Sequence, residues 1–334
     1  MQGKTNPPDQ RRHIALVLTP EPSLHSALLA VEPFRAANRV SSGTLYDTDI
    51  LVAGDGPLAA GLGIEVSGTR GFDDPKAYDL VILLVSYQLD PALRRPLFSW
   101  LRRQSANGAH ICGADAGALA LSQAGMLDDA AATAHWSTLA ALREDGRVHE
   151  VKEQLFVIGR TRSTCAGQTA MLDFGLEMLR RHHGDVLTNR VCNDLVYPSP
   201  RPDDAWQRQM SNQNSWIGNR SLETAQTLMA GNIETPLSIA QIADSCGISM
   251  RELQYLFRRH LRSTPKQIYL AIRLRHAKDL LLYSSLPIRE IGLACGFGTP
   301  SAFYRAFRNI YDKSPQDYRR DFASVTTGDG RSLY

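Results

Sequence analysis

The sequence is short of several things, and each shortage excludes a class of protein. It has five cysteines in 334 residues (Cys112, Cys165, Cys192, Cys246 and Cys295), an odd and scattered set without a CxxC pair. Neither a disulfide framework nor a Cys/His metal site is expected from such spacing, and no cofactor is implied. No stretch approaches the roughly 18 consecutive apolar residues that a membrane-spanning helix needs. The opening MQGKTNPPDQRR is polar and the apolar run after it short, which does not read as a signal peptide; a soluble, cytoplasmic chain without a membrane partner is expected. Charge of one sign is also scarce, with a net of only +3.

What is present is globular: 43% hydrophobic and 21% charged residues. The length suits two domains of roughly 100–200 residues each. The small net charge hides an asymmetry. Residues 251–320 hold 14 Lys/Arg against 5 Asp/Glu, so this segment is +9 and the rest of the chain −6. A basic module attached to a mildly acidic body points to a polyanion partner for one part only.

The first 195 residues alternate apolar runs with amphipathic stretches. Strands are expected at His13–Leu18, Asp49–Ala53, Leu80–Val85 and His110–Ala114, with a hairpin formed by Leu155–Gly159 and Thr161–Cys165. Helices are expected at Leu24–Asn38, broken or kinked at Pro33, and at Pro91–Gln104, Gly117–Ala124 and Thr169–His182. This alternation predicts an α/β domain with a mostly parallel sheet covered on both faces, spanning 11–197. The segment 198–220, rich in Pro, Asp, Asn, Gln and Ser, reads as a linker. Residues 221–322 read as all helix, and 323–334 as a tail.

The helical segment repeats itself. Ile239, Ile242, Cys246 and Gly247 recur as Ile288, Ile291, Cys295 and Gly296, an offset of 49. After one inserted residue the offset is 50, laying Leu253, Phe257, Arg258 and Pro265 over Phe303, Phe307, Arg308 and Pro315. Each copy is a short helix, a glycine turn and a second helix, with Ser249 and Thr299 as N-caps of the second helices. Helix-turn-helix motifs are thus predicted at about 238–260 and 287–311, bridged by a helix over 265–283. An apolar stripe of Ile268, Ala271, Leu274, Ala277 and Leu281 leaves Arg273, Arg275 and Lys278 for the surface of that bridge. About 18 helical residues span roughly 27 Å, enough to hold two reading heads near one turn of DNA, about 34 Å, apart.

The run IREIGLACGFGTPSAFYRAFRNIYDKSPQDYRR (Ile288–Arg320) closely resembles the AraC/XylS family of transcription regulators, and the likeness covers nearly the whole helical segment. The resemblance implies double-stranded DNA and RNA polymerase as partners. Carried across, the first recognition helix would read bases through Arg251, Gln254 and Tyr255, the second through Pro300, Ser301, Ala302 and Arg305. Arg and Gln suit bidentate contact with guanine and adenine, and Ala302 a thymine methyl. Pro300 departs from the polar residues common at its place, shifting the second head toward shape readout. Arg258, Arg259, Arg308 and Lys313, with the capping Ser249 and Thr299, are the expected phosphate contacts. Tyr255 and Tyr304 equally suit packing against neighbouring helices.

In the first domain, HICGADAGALALSQAG has the strand, tight turn and small-residue helix of a nucleophile elbow. Residues 13 to 195 resemble the DJ-1/PfpI branch of the class I glutamine amidotransferase-like superfamily, which implies a flavodoxin-like fold. In that branch the elbow carries a cysteine, where this chain has Asp115; Cys112 lies inside the strand. The branch's acidic partner falls near Ser26, with Glu32 a turn and a half further on. Both catalytic positions are therefore altered, and no enzyme activity is expected, since a carboxylate held as an anion at a helix amino end replaces a thiolate poorly.

An amidotransferase-like domain followed by this tandem motif resembles the GlxA-type AraC regulators, as do Val31–Gly56, Ala132–Trp136 and Cys165–Gly184. Some members of that group respond to quaternary amines and amino-acid derivatives. The resemblance implies a homodimeric, ligand-responsive regulator, an activator of a catabolic operon. Asp115 would face an ammonium group, Trp136 or Tyr87 would supply a cation–π wall, and His135 would bond a ligand carboxylate. Where relatives often have Gly-Gly after the central strand, this chain has Ser86-Tyr87. Two other readings stay open: an active hydrolase or aldehyde-handling domain fused to a DNA anchor, and a constitutive DNA-binding protein whose first domain only dimerises.

Overall fold

The structure, a computed structural model, describes residues 11–326 apart from 55, 61, 62, 129, 206 and 208–219; for 322–326 it describes the backbone alone. The chain divides into two compact units after Gln207.

The first unit runs β1 (Arg12–Leu18), α1 (Leu24–Val40), β2 (Tyr46–Val52), a hairpin of β3 (Leu58–Ala59) with β4 (Glu65–Val66), then β5 (Leu80–Val85), α2 (Pro91–Ala106) and β6 (His110–Asp115). There follow α3 (Gly117–Gln123), β7 (Ala131–Ala132), α4 (Leu139–Asp145), β8 (Glu150–Val151), β9 (Phe156–Ile158), β10 (Arg162–Cys165), α5 (Ala170–His183) and α6 (Asp185–Asp194). The main sheet has the order β2-β1-β5-β6-β10-β9, with only β9 antiparallel to its neighbour. Every residue of β5 (LVILLV) is buried, as a central parallel strand covered on both faces requires. The expected α/β fold with its parallel sheet is therefore present, and the carboxyl ends of β1, β5, β6 and β10 lie along one edge of the sheet.

Pro33 neither ends nor divides α1, which continues to Val40. The ring faces α5 at Gly175, where a Cβ would lie 2.7 Å from the proline Cγ. Proline is thus accommodated where the opposing helix has no side chain. The face Ala27, Ala30, Phe34 and Ala37 packs into the same core as Ile14, Leu16, Phe174 and Leu176. Residues 197–205 and Gln207 also belong to this unit: Leu155 N–H donates to the carbonyls of Asp203 and Ala205, both at 3.1 Å.

The described part of the second unit is wholly helical: α7 (Arg220–Gly231), α8 (Ile239–Ser245), α9 (Met250–Leu261), α10 (Pro265–Tyr283), α11 (Ile288–Ala294), α12 (Pro300–Tyr311) and α13 (Pro315–Thr326). Ser238 with Gln241 and Thr264 with Gln267 form capping boxes at α8 and α10. Leu222, Met229, Ile242, Leu253, Phe257 and Tyr269 close the core of the first helix-turn-helix. In the second, aromatic rings take over, with Phe303 and Phe307 centroids 5.7 Å apart and Phe307 and Tyr311 4.5 Å apart.

One surface assignment needs correction. Arg273 is half-buried on α10, where Nε donates to the Cys295 carbonyl at 2.8 Å and Nη2 to the Gly296 carbonyl at 2.7 Å. Its guanidinium carbon lies 4.4 Å from the Phe297 ring centroid. This residue holds the second turn instead of facing solvent. Ala271 of the proposed stripe is exposed, whereas Tyr269, Leu280 and Leu282 are buried.

Candidate functional site

Two sites emerge, one in each unit. The first is built around Asp115, the last residue of β6. Its backbone has φ +56, a region that aspartate tolerates better than most residues. The next residue returns at once to the sheet, Ala116 N–H donating to the Val85 carbonyl at 2.7 Å before α3 begins. Strand, left-handed residue and helix together make the elbow that the small residues after Asp115 permit.

The carboxyl of Asp115 is 4% exposed. Ser26, fully buried on α1, donates a hydrogen bond to it while accepting one from Gln168 N–H at 2.8 Å. The other carboxyl oxygen, Oδ2, is buried and has no hydrogen-bond partner among the described residues. Gly167, with φ +81, lies against this group: a Cβ there would be 1.8 Å from Oδ1. Only glycine fits that place. Burial pushes the Asp115 pKa up to about 7, and the Ser26 bond opposes the shift without cancelling it. The sequence suggests a carboxylate stabilised as an anion; in the structure desolvation wins.

Around the elbow, loops from four strand ends converge. Ser23 N–H donates to Ser86 Oγ at 2.8 Å, tying the β1–α1 loop to the end of β5. Gln168 Nε2 reaches Ser23 Oγ at 3.3 Å. His135 N–H donates to the Asp115 carbonyl at 3.1 Å, which brings these two predicted residues directly together. The His135 and Trp136 rings are 5.1 Å apart and both residues are half-buried. His135 Nδ1 is 2.7 Å from Ser137 Oγ. Tyr87, also half-buried, follows β5 two residues beyond Val85, the register partner of Asp115. Glu32 points elsewhere, paired with Arg35 at 2.7 Å.

Cys112 and Cys165 are fully buried, and burial pushes both pKa values up. Among the described residues no His/Cys/Asp/Glu cluster is arranged to hold a metal. A separate cleft of about 420 Å³, lined by Arg102, Ser105, Thr161 and Arg162 among others, lies at the amino ends of β6 and β10, away from Asp115.

The second site is the outer face of α9 and α12. Leu253, Leu256 and Phe257 are buried on α9, and Phe303 and Phe307 on α12. The opposite faces then necessarily expose Arg251, Gln254, Tyr255, Arg258 and Arg259 on α9. On α12 they expose Pro300, Ser301, Ala302, Arg305 and Arg308. Ser249 Oγ caps α9 by accepting from Glu252 N–H at 3.1 Å, and Thr299 Oγ1 caps α12 by accepting from Ala302 N–H at 3.3 Å. Tyr255 is 55% exposed and accepts a 2.6 Å bond from Arg259 Nη1, so it does not pack into the core. Arg251, Arg258 and Arg305 form no ion pair among the described residues, whereas Lys313 is 2.8 Å from Asp321. Sequence reasoning missed Gly167, Gln168 and Gln207, all of which reach their partners across long separations in sequence.

Comparison with known proteins bears on both sites. A helix-turn-helix domain model matches residues 242–321. The HTH-type transcriptional regulator CdhR of Pseudomonas aeruginosa is 34% identical over 303 residues, covering 91% of this chain and 90% of its own. The regulator GlxA of Rhizobium meliloti is 31% identical over 310 residues, covering 92% of this chain and 96% of its own. A ThiJ/PfpI family protein from Pseudomonas syringae shares the fold of the first unit, with a TM-score of 0.50 and 22% identity over 58% of this chain and 78% of that one. The chain belongs to the AraC family of DNA-binding transcriptional regulators, in its GlxA-type group, with a DJ-1/PfpI-like unit ahead of the helix-turn-helix unit.

Proposed function

We propose that this regulator senses a small amine, quaternary amine or amino-acid derivative in its first unit and, as a homodimer, activates transcription of a catabolic operon together with RNA polymerase. The observation that carries the ligand class is the buried Oδ2 of Asp115, which lacks a partner among the described residues. A buried acceptor left unpaired costs about 1–3 kcal/mol; an ammonium group placed against it offsets that cost and returns the carboxyl to its charged form. Trp136 and Tyr87 supply aromatic faces for the cation, and His135 a bond to a ligand carboxylate.

Turnover is not part of this reading. An acyl-transfer or aldehyde reaction needs a nucleophile at the elbow, and the elbow residue is Asp115. Cys112, the nearest thiol in sequence, is buried in β6 with a raised pKa. For DNA, Arg251, Gln254 and Tyr255 on α9 and Pro300, Ser301, Ala302 and Arg305 on α12 read bases. Ser249, Arg258, Arg259, Thr299, Arg308 and Lys313 contact phosphates, Lys313 after exchanging its bond to Asp321.

A thermal-shift screen of the full chain against quaternary ammonium acids, amino alcohols and free amino acids tests the sensing role. A ligand at about a hundred times its Kd stabilises the folded chain by about 2.7 kcal/mol. At least one compound is expected to raise Tm, and Asp115→Asn to abolish the rise. Silence across the panel, or an equal rise in the variant, overturns the assignment.

A further inference from the structure

The first unit does not end at its last helix. Residues 197–205 and Gln207 return across it and are fastened at three places. Asp173 on α5, fully buried, receives Tyr197 Oη at 2.8 Å and Arg201 N–H at 2.7 Å on Oδ1, with Arg201 Nε at 2.9 Å and Nη2 at 2.6 Å on Oδ2. Both carboxylate oxygens are therefore doubly satisfied, the condition under which a buried ion pair holds firmly. Further along, Leu155 N–H is shared by the carbonyls of Asp203 and Ala205. At the end, the Gln207 amide Nε2 lies 3.0 Å from Thr133 Oγ1, 2.8 Å from the Ala134 carbonyl and 2.8 Å from the Gln154 carbonyl. Two of these three are carbonyls, which can only accept, so the nitrogen must face them.

The residues that Gln207 grips adjoin the candidate pocket. Thr133 and Ala134 are fully buried, and Thr133 N–H is fixed to Thr164 Oγ1 of β10 at 2.8 Å. The next residue is His135, whose N–H bonds to the Asp115 carbonyl. One continuous path thus runs from the elbow through the backbone of 133–135 to Gln207. The two fastenings differ in kind. The Asp173 anchor is charged and multiply bonded, whereas Gln207 is neutral and leaves its own Oε1 buried without a partner among the described residues. Arg201 Nη2 also reaches Thr169 Oγ1 at 2.9 Å, two residues from the Gly167 that lies against Asp115, so both fastenings adjoin the candidate site and the Gln207 one is the weaker.

We infer that Arg201 and Gln207 act as a latch: the Asp173–Arg201 pair is its fixed hinge, and Gln207 is a positioning residue that holds Thr133–Ala134, and through them His135–Trp136, until a ligand displaces that segment and frees Gln207. This rests on the first unit being a sensor, but it makes a claim that needs no ligand. Removing the Gln207 amide alone loosens a segment more than seventy residues away in sequence.

Hydrogen–deuterium exchange on the full-length protein, without ligand, reads this directly. Loss of a net hydrogen bond of about 1 kcal/mol corresponds to about a fivefold change in an opening equilibrium. In Gln207→Ala, amides of 133–136 are expected to exchange about fivefold faster or more, while those of Leu80–Val85 are unchanged. Faster exchange confined to residues after 203 overturns the latch. Gln207→Asn, one methylene shorter, is read in the same way should the alanine variant not fold. The second readout is affinity for DNA selected by the wild-type chain from a random pool. A change of about threefold or more in Gln207→Ala, with Thr161→Ala as control, is expected; unchanged affinity removes the link to the second unit. Neither readout uses a ligand, so a silent ligand screen overturns the sensing role while leaving this result to stand or fall on its own.

Discussion

At the scale of single residues, Asp115 poses a balance of opposed effects. A short helix beginning just after it favours the anion by about 0.3–1 kcal/mol. Burial raises its pKa from the ordinary 3.8 to about 7, and each unit corresponds to about 1.4 kcal/mol, so desolvation is the larger effect. The sign of the pH dependence follows. An acid whose pKa is higher folded than unfolded gives its full stability below about pH 4 and loses it as pH climbs toward 7. Asp115→Asn keeps the shape and removes the charge, so its stability advantage over the wild type should widen between pH 5 and pH 8, by on the order of 2 kcal/mol. His110 and His182, whose pKa values burial depresses to about 4, act in the opposite direction, losing stability as pH falls below 6.5. Both are present in each protein and cancel in the difference. Melting curves of the two proteins across that range check this, and a gap independent of pH would refute it.

Among the elements, duplication gives a controlled comparison. Gly247 and Gly296 occupy the same turn of the two motifs, with φ +69 and +72. Around Gly247 there is nothing within 4 Å of an added Cβ; at Gly296 it would lie 2.5 Å from the Ile233 carbonyl oxygen and 2.6 Å from Pro236 Cγ. Both substitutions by alanine meet the backbone cost of a left-handed residue, about 1 kcal/mol. Gly296→Ala must also push back a neighbouring loop and disturb the carbonyls that Arg273 holds, and should cost about 3 kcal/mol or more. Equal losses of Tm in the two variants would show that the loop yields freely.

The same comparison shows what was legible in the sequence. Periodicity located β5 to the residue and both helix-turn-helix motifs, because apolar spacing is a local signal. The layout of residues 110–125 located the elbow. Periodicity was silent about α6, and it misassigned Arg273, whose bonds to the second turn cross 22 and 23 residues. The polar composition of 198–220 reads as a linker, because the fastenings of Arg201, Asp203, Ala205 and Gln207 to the first unit are polar side chains and backbone groups, which leave no apolar pattern. Ser26 is singled out in the sequence only through the family resemblance, and Gly167 meets Asp115 only through the sheet topology, so its part in the site has no sequence signature.

For the whole molecule, the division of charge becomes a prediction about DNA. The basic segment of net +9 contains α9 and α12, and the exposed arginines on them split by expected role. A residue that neutralises one phosphate releases condensed counterions, so its removal should lower the slope of log affinity against log salt by about 1 and weaken binding alike on all sequences. That is the outcome expected for Arg258→Ala and Arg308→Ala. Arg251→Ala and Arg305→Ala should instead cost about 1–3 kcal/mol on the selected site and relax preference at one base pair each. Titrations of all four variants on selected and scrambled duplexes at several salt concentrations separate the classes, because a base contact changes the ratio of the two affinities and a phosphate contact does not. An unchanged ratio in Arg251→Ala and Arg305→Ala would move both to the phosphate class and leave base reading to Gln254, Tyr255 and the small residues of α12.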